Sequence, residues 1–481
     1  MKRGISLLLC LLLALGISAF TTASAEDRVT LVYQTWNPGE DWFAAVEEDF
    51  EAKFPNIDVQ HVFVPYSDHI QKLKIDLATG QGPDVFSLQT GATLKEFRDF
   101  EVKMNDLAAA EWGENWEDTI VSFAREVTPE NGEYYGLPMG TSYAGTIWAD
   151  LTYFDKYELE VPTNLDELKE VCAKLRENGE MPLVIGAKDD WINLDMWMNI
   201  ANDVSSEKLY AAIAGEVPFT DADLVKSFEI WKDLFDSGVF QDGALGVNVY
   251  NDTSDLFDIE GSIPLICNGS WVINCYPERE TNPEMFANWN GEGRKHTVIN
   301  MDWTNDGKPA PIQATVENVL CMNNATEHPD EAWTFIKYML YDGQDLLNNR
   351  YLAYFPSRTG VEFEGDLSPE GIENFNKLME MGATNTGGYR ENPYPELKQS
   401  IADNLKALAL GEVTPEQAGE IIEAVSKTTE RKAAWPRDVR VPRPLYPSGG
   451  KSHEKKQSRG VSVYTADFDS VPRIRALSHH L

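Results

Sequence analysis

Val29-Thr30-Leu31-Val32-Tyr33-Gln34-Thr35 and Ile57-Asp58-Val59-Gln60-His61-Val62-Phe63-Val64 bracket a stretch in which Phe43, Val46, Phe50 and Phe54 fall on one stripe. The outer runs are rich in strand formers and the stripe has helical spacing, so the segment reads strand, helix, strand. Gly39-Glu40 opens the helix and Pro55-Asn56 stops it. Ser67 caps a second helix carrying Ile70, Leu73 and Leu77, which Gly80 ends, and Pro83 precedes a third strand at 85–88. Crossovers of helical length require parallel strands joined right-handedly. In an open sheet of that kind ligands collect beyond the carboxyl ends of the strands, which here means 36–39 and 89–93. The unit lacks the G-x-G-x-x-G turn of a dinucleotide site, so it predicts a ligand catcher and not a nucleotide enzyme.

Upstream, Lys2 and Arg3 precede an apolar run at 5–17 and the small-residue site Ala23-Ser24-Ala25, the pattern of a cleavable secretory signal at 1–25. Cys10 sits inside the apolar run after Leu9, which argues against a lipid anchor. Periplasmic residence is expected. No later run reaches about 18 uninterrupted apolar residues, so the sequence offers no membrane span after the signal. Beyond the signal the chain exceeds one comfortable core and predicts two lobes. The formal charge is −37, with 78 acidic against 41 basic residues, which makes nucleic acid a poor partner. Solvated acidic helix faces account for most of it. Residues 431–481 run the other way, with 11 basic and 4 acidic side chains, several prolines and no sustained period. That tail reads as disordered. Of the cysteines left after cleavage, none has zinc-ribbon or CxxC spacing. Cys267 and Cys275 are left open between a bridge and two buried thiols, and no metal site is expected.

Ala78-Thr79-Gly80-Gln81-Gly82-Pro83-Asp84-Val85 resembles a signature of the family 1 extracellular solute-binding proteins, the sugar-capturing partners of ABC importers. Tyr135-Gly136-Leu137-Pro138, Tyr153-Phe154-Asp155-Lys156 and Val161-Pro162-Thr163-Asn164-Leu165-Asp166-Glu167-Leu168 are similar to later pieces of the same family. So are Glu260-Gly261 to Asn268-Gly269-Ser270-Trp271, His328-Pro329-Asp330-Glu331-Ala332-Trp333, and the turn Phe355-Pro356-Ser357-Arg358. The pieces occur in the family's order over about residues 29–430. The resemblance implies an α/β clamshell of the type II-like periplasmic-binding-protein class, two discontinuous lobes joined by a hinge. Expected bounds are 26–139 and 313–357 for one lobe, 140–312 and 358–430 for the other. It also implies a monomer that hands a carbohydrate to an ABC-transporter membrane permease, needs no cofactor and catalyses nothing. Closure on a ligand would be a hinge motion.

A pyranose has apolar C–H faces and a rim of hydroxyls, so a sugar site wants aromatic plates and short polar side chains in fixed directions. Trp271 follows Asn268-Gly269-Ser270 at a strand-end turn, where the family stacks a tryptophan on sugar. Trp36 and Asn37 end the first strand; Gln89 and Thr90 end the third. Leu88 stands where maltodextrin-binding relatives carry an aromatic, which points away from maltodextrin. Ser142 and Tyr143 lie at the expected lobe crossing, while Trp191 and the pair Asp302-Trp303 fall in expected loops of the second lobe. Arg358 divides between forking onto the ligand and pinning the hinge turn. Trp42, Trp148, Trp197, Trp231 and Trp333 lie in apolar patterns and read as core, and Asp84 as a structural hydrogen-bonding group.

Enzyme readings have little to stand on. Gly140-Thr141-Ser142-Tyr143-Ala144-Gly145 misses the G-x-S-x-G elbow by one residue. No HExxH, P-loop or EF-hand spacing occurs. A carboxylate pair for glycoside hydrolysis has no specific signal, although so acidic a chain supplies many pairs. A clamshell receptor for signalling or adhesion is the nearer rival, since it would differ only in the partner that reads the closed form.

Overall fold

The computed structural model describes residues 28–275, 294–351, 354–359, 369–384, 386–390 and 392–431. The expected signal peptide and nearly all of the basic tail lie outside them. Two sheets organise the described residues. In the larger, β1 (Val29–Thr35) pairs in parallel with β2 (Ile57–Phe63) and β3 (Val85–Leu88). The helices Glu40–Lys53 and Tyr66–Ala78 form the two crossovers, as the periodicity required. Phe43, Val46 and Phe50 are the buried stripe of the first, and they pack with Tyr33, Phe335 and Tyr338 in the core.

The second sheet contains β5 (Thr146–Asp150), β6 (Leu183–Val184), β7 (Leu265–Asn268) and β8 (His296–Ile299), in the order β6-β7-β5-β8. Between the sheets run β4 (Leu137–Ala144) and β9 (Ile312–Met322), an antiparallel pair that completes the large sheet beside β3, with β10 (Phe355–Pro356) on the far edge of β4. The chain thus leaves the large sheet after Ala144 and returns at Ile312. β4 therefore holds to the large sheet beyond the expected crossing near 140. The turn is made by Gly145 at φ +75°, where a Cβ would meet Asn199 Cβ, Asp195 O and Gln313 Nε2, each at 2.8 Å. No side chain fits that crossing. A third passage, β11 (Thr386–Tyr389), adds in parallel to the start of β9. The α/β, two-lobed architecture expected from the sequence is the one observed.

Two cores occur among the described residues, and the smaller sheet contributes to both, Trp148, Ile266 and Val298 to one and Ile147, Leu265 and Cys267 to the other. One is built on Leu31, Phe86, Val316 and Leu320, and the other on Trp197, Phe228, Trp231 and Leu265. Trp197 lies flat on Phe228 with centroids 5.1 Å apart and donates to Ser227 Oγ, while Trp231 donates to Leu405 O. Both indoles thus satisfy their N–H inside the core, as buried tryptophans do. Cys172, Cys267 and Cys321 are buried free thiols. Asp84 accepts from Val32 N at 2.8 Å and Thr326 Oγ1 at 2.5 Å, tying β1 to the segment after β9.

Two histidines, His69 buried and His61 half-buried, give this core a pH dependence. His61 stacks on Phe43 at 4.1 Å and His69 bonds Ser87 O at 2.8 Å, and burial holds both imidazoles down to about 4. Between about pH 6.5 and 4 the unfolded chain takes up protons that the folded chain refuses. Stability therefore falls as pH falls through that window, by up to about 1.4 kcal/mol per pH unit for each histidine. Glu101 works the other way: burial lifts its carboxyl to about 8, so it contributes stability below its ordinary 4.5 that is lost as pH rises through 8. Melting temperatures of His61→Gln measured from pH 7 to 4.5 should show a shallower acid limb than the parent. Superimposable limbs would remove His61 from the account.

Candidate functional site

The carboxyl ends of β1 and β2, the middle of β4 and β9, and the turn after β7 meet around one cavity of about 620 Å³. From the large-sheet lobe come Trp36, Asn37, Trp42, Phe63 and Tyr66, with Tyr354 and Phe355 from the return segment. Tyr250, Ser254, Asp258, Asn268, Ser270 and Trp271 face them from the other lobe. Ser142 and Glu317 form part of the floor. Of the two strand-end segments expected from the topology, 36–39 lines this cavity and 89–93 does not. The wall is a set of aromatic faces interleaved with hydroxyls, amides and carboxylates.

Local chemistry fixes the plates. Trp271 follows a turn in which Asn268 Oδ1 accepts from Gly269 N at 3.0 Å, Gly269 O accepts from Trp148 Nε1 at 2.9 Å, and Ser270 Oγ accepts from Tyr143 N at 2.9 Å. The last bond fastens the turn to β4. The indole folds back so closely over Gly269 that a Cβ there would sit 2.2 Å from its ring carbons. Gly269→Ala should therefore displace the plate, weakening ligand binding roughly tenfold with a stability change of about 1 kcal/mol or less. Titration and melting of the variant check this, and unchanged affinity would show the plate is not set by the turn. Across the cleft, Trp36 meets Tyr66 edge-on at 5.3 Å and His69 at 5.0 Å. Tyr66 reaches the opposite lobe, meeting Trp191 at 6.2 Å with rings at 86°.

Beneath the plates runs a connected polar floor. Tyr66 Oη donates to Gln89 Oε1 at 2.6 Å, Gln89 Nε2 to Glu317 Oε1 at 3.2 Å, and Ser142 Oγ to Glu317 Oε2 at 2.6 Å. Arg390 closes the network, with Nε 2.7 Å from Asp195 Oδ1 and one terminal nitrogen 3.3 Å from Glu317 Oε2. Its guanidinium also lies 5.1 Å from the Trp271 ring and 5.6 Å from that of Trp191. With 5% exposure, Arg390 is spent inside the protein. Burial, reinforced by neighbouring groups, pushes the Tyr354 phenol well up, so it stays neutral, and its Oη accepts from Asn318 Nδ2 at 3.1 Å.

The structure therefore brings Trp36, Asn37, Ser142 and Trp271 to one cavity. Gln89 and Thr90, each 2% exposed, stand behind it. Gln89 belongs to the floor network, and Trp191 backs Trp271 at 5.7 Å and Tyr250 at 5.9 Å without lining the cavity. Four expectations need correction. Tyr143 points away from Ser142, as strand alternation demands, and packs on Phe355 at 5.3 Å. Trp303 is 1% exposed and donates to Asn199 Oδ1 at 2.7 Å, inside the second core. Asp302 accepts from Asp306 N and Gly307 N and so shapes its own loop. Arg358 is taken by Asp345 at 2.5 Å and by the Tyr341 ring at 4.5 Å, which pins the turn. Trp42, read as core, lines the cavity.

Sequence reading missed Phe63, Tyr66, Tyr250 and Glu317. Phe63 and Tyr66 had a signal, since they end and follow β2 much as Trp36 follows β1. Glu317 had one too, as a lone carboxylate in the otherwise uncharged strand 312–322.

The family model of bacterial extracellular solute-binding proteins matches residues 45–374. An uncharacterized ABC transporter extracellular-binding protein of Pyrococcus horikoshii is 26% identical over 219 residues, 43% of this chain and 48% of that one. The maltotriose-binding protein of Pyrococcus abyssi is 26% identical over 326 residues, 66% of this chain and 63% of that one. The chain thus spans between about half and two-thirds of the length of these curated relatives. A structure from a study of xylan utilization by Caldanaerobius polysaccharolyticus superposes with a TM-score of 0.70 at 17% identity, over 82% of this chain and all of that one.

Proposed function

This chain belongs to the bacterial extracellular solute-binding proteins, and we propose that it captures a mono- or oligosaccharide outside the cytoplasm and delivers it to the permease of an ABC importer, with no reaction of its own. One observation carries the reading: aromatic plates and short polar side chains from two lobes face each other across one cavity. Stacked rings supply apolar contact to C–H faces, and Asn37, Ser142, Asn268 and Ser270 supply hydroxyl partners. Because the plates are split between lobes, a ligand touching both favours the shut form over the open one, and that difference drives closure. A name such as maltotriose-binding among the relatives agrees with a saccharide as cargo. No helix among the described residues is long and apolar enough to cross a membrane. Export by the signal at 1–25, a periplasmic address and action as a monomer complete the proposal.

Titration of tryptophan fluorescence with a panel of mono- and oligosaccharides tests it. A saturable change with at least one sugar is expected, and chromatography should return that sugar unaltered. Saturation by none, or recovery of a cleaved product, would overturn the reading.

A further inference from the structure

Charge in the cleft narrows the cargo. Among the described residues, no lysine or arginine lines the cavity, whereas four carboxylates do: Glu40, Asp41, Asp258 and Glu317. The guanidinium beneath the floor is not on offer to a ligand, because Arg390 is held by Asp195 and Glu317 and covered by two indoles. Glu40 and Asp41 occupy the first turn of the helix Glu40–Lys53 and oppose the positive end of its dipole, the other feature of that wall able to attract an anion. Aromatic faces beside carboxylates hold ammonium groups well, through the ring quadrupole and direct charge attraction. Resting on the saccharide reading above, we infer that the cleft is a charge filter: it prefers sugars bearing a protonated amine, accepts neutral ones, and rejects uronates and other acidic sugars.

Counted together, the lining carboxylates and Asp195 outnumber Arg390 by four charges. An anionic sugar must enter against that field with no lysine or arginine of the described lining to meet it. An amine placed between Trp36, Tyr66 and Trp271 gains from both rings and carboxylates. Glu40 and Asp41 are exposed, so their share of the effect is screened by salt, with a screening length of about 10 Å at 0.1 M and about 3 Å at 1 M.

The test uses the full chain and trimers of glucose, glucosamine and a uronate, each in α-1,4 and β-1,4 linkage. At low ionic strength the glucosamine trimer of the better-bound linkage should bind roughly tenfold tighter than its glucose counterpart, and the uronate at least roughly tenfold weaker. In 0.5 M salt the amine advantage should shrink several-fold. In the variant combining Glu40→Gln, Asp41→Asn and Asp258→Asn, the ratio of amine to glucose affinity should fall to within about twofold. Uronate binding on a par with glucose, no preference for the amine, or a preference that the variant keeps would overturn the inference while leaving the saccharide reading intact. Spermidine binding as tightly as the amine trimer, or no binding of the trimers or of any sugar in the mono- and oligosaccharide panel, would instead overturn the saccharide reading.

Discussion

Trp271→Ala is expected to weaken saccharide binding by about 2 kcal/mol or more, roughly 30-fold in Kd, while leaving the fold intact. Trp271 is only half-buried, and its indole stands on the cavity wall over the turn that Trp148 and Ser270 hold. Truncation removes the flat face without touching that turn, so the loss falls on the ligand and much less on the core. Trp271→Phe should recover part of the affinity, because a smaller ring still offers a plate, whereas Trp271→Leu should recover little despite similar apolarity. Fluorescence or calorimetric titration with the best-bound sugar separates these cases. If the alanine variant binds with unchanged affinity, the stacking role is wrong and the polar floor must carry recognition alone.

How much of this site could be read from the sequence depends on whether a residue's direction is set locally. β1 to β3 announced themselves through period and breakers, and the topology rule then pointed to Trp36, Asn37 and the segment after β3. Trp271 was singled out because Asn268-Gly269-Ser270 reads as a strand-end turn and because the family resemblance places a sugar-stacking tryptophan after it. Ser142 and Tyr143 show the boundary: their place on a crossing strand was found, but which of two alternating faces looks into the cleft is decided by the pairing of β4 with β9, a non-local fact. Trp303 and Asp302 failed for the same reason, since the helix holding Asn199 and Asp203 captures that loop from far away in sequence. Trp42 failed in the other direction. Its helix has a buried stripe at Phe43, Val46 and Phe50, and Trp42 sits one position off it, so an apolar pattern alone assigned it to the core. Arg390 had no signal, because its partners Asp195 and Glu317 lie 195 and 73 residues away.

Arg390→Leu is expected to be the most destabilising single change in the cleft, at about 3–5 kcal/mol of unfolding free energy. The guanidinium is the cation between two carboxylates whose side chains are 3% and 12% exposed. Removing it leaves Asp195 and Glu317 in poor solvent facing each other's charge, and that penalty, more than the lost attraction, sets the magnitude. Arg390→Lys keeps a charge but not the planar fork that spans Asp195 and Glu317, so it should fall between. Neutralising the partners separates charge from packing: adding Asp195→Asn and Glu317→Gln to Arg390→Leu should restore much of the stability, since no uncompensated carboxylate then remains. Binding should not return with it. Trp191 and Trp271 both rest on the guanidinium, and Ser142 and Gln89 both lean on Glu317, so the triple variant would be folded with its plates and floor unfastened. Chemical denaturation and sugar titration of the single and triple variants measure the two effects apart. A triple variant that regains full affinity would show that the plates hold their positions without the buried cation.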